Sequence, residues 1–222
     1  GGAQGTSQEG AGQEGGPQAG AAQGSTQEEG PAYQGARREE AVIRIVTLGP
    51  FEADDLSYLG RTLYQAFGVG TEHAGERKLP REAEGDDGRY DAVKILEEVT
   101  PARVLADDKV LYLTAAPLSM LEGPLGEPPC YGFAEYGGQR AVVSVARFTA
   151  RGATEASVEL FRRRLARESI HFVGHLWDLH HCYDPRCAMH PSWSPALSAE
   201  PEIDLDTFCR EKSERKIRLA KT

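Results

Sequence analysis

Five of the six histidines in this 222-residue chain lie between residues 171 and 190, and three of its four cysteines stand at 182, 187 and 209. His171 and His175 are four residues apart, so on a helix both imidazoles share one face about a turn apart and can reach a single cation. A third ligand has to come from another direction to build a tetrahedral site with one open position. His181 can provide it where the helix ends near residue 178 and the chain turns back. Three imidazoles leave room for water or substrate, whereas thiolates close a zinc site, so the cysteines just behind the histidines suggest a second, structural ion. His180 reads as a neighbour of His181 and not as a ligand.

These side chains need elements to hold them. A β-branched run at 42–48 reads as the first strand, ended by Gly49-Pro50. Leu56, Leu59, Leu63 and Phe67 recur at helical spacing over 54–67, with Asp54 or Asp55 as caps and Gly68 beyond the end. Residues 71–87 are polar and read as a surface loop, 90–99 as a second amphipathic helix, and 104–114 as a strand followed by a Pro- and Gly-rich loop at 117–129. Segments 131–136 and 141–148 read as strands joined by Gly137-Gly138. A long helix follows over 154–179, then irregular chain with a short helical candidate at 205–210. Alternating strands and helices give the class α/β, with the histidines at the end of the last long helix.

Composition narrows the function. Residues 1–35 are almost all Gly, Gln, Ala, Ser, Thr, Glu and Pro, too poor in apolar side chains to bury a core, so the expected layout is a disordered tail over 1–40, one domain over 41–215 and a C-terminal tail over 216–222. A net charge of −9 argues against a nucleic-acid partner, and Arg162-Arg163-Arg164 reads as a solvated helix face. No apolar run reaches the roughly 20 residues of a membrane span and no signal-peptide pattern opens the chain, so a monomeric, cytoplasmic protein is expected. Cysteines clustered with histidines then favour metal over disulfides, while Cys130, in a strand-like segment, reads as a buried structural thiol.

The segment His171-Phe-Val-Gly-His175-Leu-Trp-Asp-Leu-His-His181-Cys182, continued by Cys187-x-Met189 and by Phe208-Cys209, resembles the archaemetzincin signature. Tyr131-Gly132-Phe133-Ala134 and the run from Val142 to Arg147 are also similar to family segments. The resemblance implies a metzincin-like domain: a twisted mixed sheet with packed helices, the zinc helix among them, and a small irregular C-terminal part. It further implies a catalytic zinc on His171, His175 and His181, a Met-turn at Met189 beneath it, a second zinc on Cys182, Cys187, Cys209 and a fourth cysteine, and peptide or protein substrates.

This chain departs from the family pattern at three positions. The motif His-Glu-x-x-His-x-x-Gly-x-x-His carries a glutamate that takes a proton from the attacking water, and Phe172 replaces it. Glu168, one turn earlier, is a remote substitute base and more simply a solvated side chain. Asp178 replaces the turning glycine, and aspartate is among the few residues that tolerate left-handed backbone. The fourth cysteine would fall at position 212, where Lys212 cannot ligate metal, leaving His190, His180, Asp184 or water, or a site that holds no ion. Three readings follow: an impaired zinc metallopeptidase homologue, a pseudo-enzyme that binds a peptide or partner without cutting it, and a weakly active aminopeptidase using another base.

Overall fold

The computed structural model describes residues 41–99, 107–120, 130–148, 152–191 and 203–220. The tail expected over 1–40 and most of the loop expected at 117–129 lie outside the described residues. The chain order is β1 (Val42–Leu48), α1 (Ala53–Phe67), β2 (Gly70–Arg77), a short 3-10 turn, β3 (Tyr90–Asp91), α2 (Ala92–Glu98), β4 (Lys109–Thr114), β5 (Leu118–Ser119), β6 (Gly132–Ala134), β7 (Arg140–Ser144), α3 (Glu155–Leu176) and α4 (Thr207–Ala220).

Five strands form a mixed sheet in the order β2-β1-β4-β7-β6, parallel throughout except for β6, which runs antiparallel to β7 at the edge. Side chains alternate across a strand, and both faces here are covered. Ile43, Ile45, Leu111, Leu113, Ala141 and Val143 pack with α1 and α3 on one side. Val46, Leu48, Val110, Tyr112 and Val142 pack with Ala92, Ile95 and Leu96 of α2 on the other. All six residues of β4 are buried, as a central strand between two helical layers requires. Cys130 is half-buried against this second cluster.

Several elements differ from the sequence reading. The polar stretch from residue 71 is not a loop in its first part, because Gly70–Arg77 pairs in parallel with β1. An edge strand has a partner on one side only and leaves most side chains in water, so its sequence carries no apolar alternation. Residues 216–220, assigned to a tail, continue α4, whose buried positions Cys209, Ser213 and Ile217 make a stripe one residue wide at a spacing of four. Such a stripe is too narrow to register as amphipathic. Asp91 caps α2 by accepting from the Val93 and Lys94 amides, so that helix starts later than expected. In α1, Gly68 closes the helix in left-handed conformation as expected, but Glu52 holds the N-cap position without a side-chain bond. Arg162 is not simply solvated: its guanidinium donates to the buried Asp55 carboxylate at 2.7 Å, tying α3 to α1. Thr154 and Ser157 form a reciprocal capping box that starts α3.

Candidate metal centres

α3 is 22 residues long and packs through Leu165, Ile170 and Val173 on the sheet, so its last turn is a rigid platform for His171 and His175. The His171 Nδ1 lies 3.0 Å from the Ala188 carbonyl and the His175 Nδ1 lies 2.8 Å from the Leu179 carbonyl. A carbonyl only accepts, so both Nδ1 atoms carry the hydrogen and both Nε2 atoms present lone pairs in the neutral rings. Those two Nε2 atoms face each other at 3.1 Å. Two lone pairs at that distance repel, and a cation between them removes the conflict. Ligand nitrogens of a tetrahedral zinc site at 2.0–2.1 Å from the ion stand about 3.3 Å apart.

Burial, and then the charge of His175, pushes the His171 imidazole down to about 3. Burial likewise lowers His175 and His181. All three therefore stay in the neutral, ligating form through ordinary pH.

The third imidazole arrives by a reversal of the chain. After Trp177 the Leu179 N–H donates to the Gly174 carbonyl and the Asp178 N–H to the His175 carbonyl, both at 3.0 Å, which is the paired bonding of a Schellman helix end. The hinge of such an end requires left-handed backbone, and Asp178 adopts it with φ of 62°, alone among the described non-glycine residues. The conformation costs an aspartate about 1 kcal/mol. Lys216 of α4 pairs with its carboxylate, and the Tyr136 hydroxyl donates to its carbonyl at 3.0 Å, so the hinge is held from two sides. Its product is His181, with its ring centroid 5.1 Å from those of both His171 and His175. One nitrogen from each of the three histidines lies within 4.8 Å of the others. His180 points outward and stacks on Tyr136 at 4.9 Å.

Met189 is fully buried below the platform, and its Sδ presses on Gly174 so closely that a Cβ there would collide with it. Gly174, inside the histidine pair, was not singled out from the sequence; its signal is a glycine on the buried face of a helix. The peptide joining Ala188 to Met189 serves two clusters. Its carbonyl meets His171, and its N–H points at the Cys187 Sγ at 3.4 Å.

Phe172 lies beside the histidines. Its ring meets His171 edge-on, centroids 5.2 Å apart, and its other face rests on β6 at Gly132, where an added Cβ would stand 2.8 Å from the ring. Glu168 is 5% exposed, so it is buried and not solvated as its sequence position suggested.

The cysteines gather in a second cluster. Cys182, Cys187 and Cys209 bring their sulfurs together with a carboxylate oxygen of Asp206, all within 4.8 Å of one another. Of the anticipated fourth donors, His180 stacks on Tyr136, His190 bonds its own neighbour Pro191, and Asp184 is turned to Arg186; none joins the group. The spacing of the motif points three residues after Cys209, to Lys212, whereas the fourth donor stands three residues before it. Asp206 is also the cap of α4, with its Oδ1 accepting from the Cys209 amide at 2.7 Å. Its Oδ2 accepts from the Cys182 thiol at 2.9 Å. Burial and the bond to Asp206 push the Cys182 thiol up to about 11, and burial followed by the charge of Cys187 raises Cys209.

Known proteins resemble this chain in the same region. The family model of peptidase family M54 matches residues 90–217, which include both clusters. The archaemetzincin of Pyrococcus furiosus is 27% identical over 157 residues, covering 67% of this chain and 80% of the relative. That of Archaeoglobus fulgidus is 39% identical over 83 residues, covering 36% of this chain and 45% of the relative. That of Methanopyrus kandleri is 37% identical over 84 residues, covering 38% and 43%. The chain thus spans less than half the length of these last two relatives. The solved structure of the Methanopyrus kandleri archaemetzincin matches with a TM-score of 0.68 at 23% identity, over 82% of this chain and 99% of that one. The Archaeoglobus fulgidus structure matches with a TM-score of 0.63 at 24% identity, over 77% and 99%. The mixed sheet and helices are thus the archaemetzincin fold, and the chain belongs to peptidase family M54.

Proposed function

We propose that this M54-family chain holds one zinc on His171, His175 and His181 and binds peptide or protein segments above it, with hydrolysis strongly impaired. The donor set fits the ion: three neutral imidazoles, two of them oriented by carbonyls behind them, converge from a helix and a hinge and supply three of the four ligands of a tetrahedral zinc. Zinc there supplies Lewis-acid polarisation of a substrate carbonyl. The rest of a peptidase reaction falls to the protein, which must take a proton from the attacking water and return it to the leaving amine.

The observation that carries the impairment is the placement of Phe172. Its ring stands edge-on to His171 and fills the space against Gly132, so the position that must hold a base holds hydrocarbon. Loss of a positioned base lowers a rate by about 10² to 10⁴. The burial of Glu168 disfavours it as a replacement.

The test is zinc content of the purified chain together with peptide hydrolysis by Phe172→Glu, with Phe172→Gln as a control of similar shape. One ion on the histidines, with turnover rising about 10²-fold or more only in the glutamate variant, is the expected result. Native protein cleaving peptides as fast as Phe172→Glu overturns the reading.

A further inference from the structure

The geometry points to Asp206 as a metal ligand, and we propose that Cys182, Cys187, Cys209 and Asp206 form a three-thiolate, one-carboxylate site for a second zinc ion. The four donors come from three separate stretches of chain: the coil after the histidine hinge, the turn before Met189, and the start of α4. They nevertheless converge within 4.8 Å. Zinc accepts both thiolate and carboxylate ligands, and four such donors close its tetrahedron.

The amides around the sulfurs are placed to receive metal-bound thiolates. The Asp184 amide is directed at the Cys182 Sγ, and the Met189 and Asp206 amides at the Cys187 Sγ, each at 3.4 Å. Backbone N–H groups aimed at sulfur stabilise the charge of metal-bound thiolates and orient them. All the cysteines are free of disulfides, and three neighbouring sulfurs could not all pair with one another in any case.

Capping alone does not account for Asp206. A cap uses one carboxylate oxygen, and the Cys209 amide already occupies Oδ1. The other oxygen faces the Cys182 sulfur at 2.9 Å, toward the centre of the cluster. Lys212 lies outside the cluster, and its positive charge acts on Asp178. The fourth anionic donor is therefore the cap residue of α4 and not position 212 in its second turn. Zinc binding displaces the thiol protons, including the one shared between Cys182 and Asp206, and leaves the same net charge as a four-thiolate site.

The proposal stands apart from the reading of Phe172 and is tested with the histidine ion removed. In the full chain carrying His175→Ala, one zinc should remain, and X-ray absorption should give a shell of three sulfurs near 2.3 Å and one oxygen near 2.0–2.2 Å. Adding Asp206→Asn keeps a good helix cap but withdraws the anionic oxygen, and zinc should pass to a competing chelator about ten- to a hundredfold more readily. Adding Asp206→Cys instead should restore retention and convert the shell to four sulfurs. Three results overturn the assignment: a His175→Ala chain that holds no zinc, an Asp206→Asn chain that keeps zinc as tightly as its parent, or an Asp206→Cys chain that fails to recover it.

Discussion

In the histidine cluster two of three donors stand on a 22-residue helix packed on the sheet, and the third hangs from a hinge fixed by α4 and Tyr136. In the cysteine cluster no regular element carries Cys182 or Cys187, and Asp206 and Cys209 sit at the capped start of a helix. The first cluster is a scaffold that exists whether or not an ion arrives. The second is a set of coil segments whose mutual placement a bound ion would reinforce. An open site that must receive substrate benefits from the first plan, and a closed site that pins coil to core benefits from the second.

The largest test of that contrast compares two substitutions. Cys187→Ala removes a buried donor toward which two amides are aimed, and should cost roughly 3 kcal/mol, seen as a fall of about 6–12 °C in Tm with the loss of one zinc. His175→Ala should also lose one zinc but, in the same comparison, cost clearly less, with about 1 kcal/mol of its effect from the bond to the Leu179 carbonyl. Equal destabilisation by the two would erase the distinction between scaffold and metal-built site.

Acidification gives a smaller effect. The folded His171 titrates at about 3, below the ordinary value near 6.5, so folding favours its neutral form. The stability this confers is complete above pH 6.5 and is lost as pH falls toward 3. In chelator-treated protein, denaturant titrations should show roughly 2 kcal/mol lost between pH 6.5 and 5, and His171→Phe should flatten that slope. A slope unaffected by the substitution would place the acid sensitivity elsewhere.

The smallest effect is expected at the hinge. The Lys216–Asp178 pair is more than a third exposed, so Lys216→Ala should cost under about 1 kcal/mol and speed zinc loss from the histidines only a few-fold in chelator exchange. A complete loss of that ion would make α4 part of the scaffold in its own right.

What could be read from the sequence was local. The spacing of His171, His175 and His181 and the left-handed backbone of Asp178 depend on a dozen consecutive residues, and the structure brings them together as the sequence requires. The placement of Phe172 against Gly132 depends on a distant strand lying across the helix, and one chain of letters carries no record of it. β2 was missed because an edge strand owes its pairing to β1 and not to its own side chains. Asp206 was missed for a different reason: an aspartate before a helix is so ordinary as a cap that a second role leaves no mark on the spacing.

The peptide between Ala188 and Met189 touches both clusters at once. When Cys187 passes from thiol to thiolate, its sulfur draws more strongly on the Met189 N–H, electron density shifts along the amide, and the Ala188 oxygen becomes a stronger acceptor. The His171 Nδ1–H is then pulled harder, and the lone pair on the far side of its ring becomes more basic. An ion in the cysteine cluster would therefore raise the affinity of the histidine cluster, and the same factor would operate in reverse. With limiting zinc, chains carrying both ions should be somewhat more numerous than independent filling of the two clusters gives.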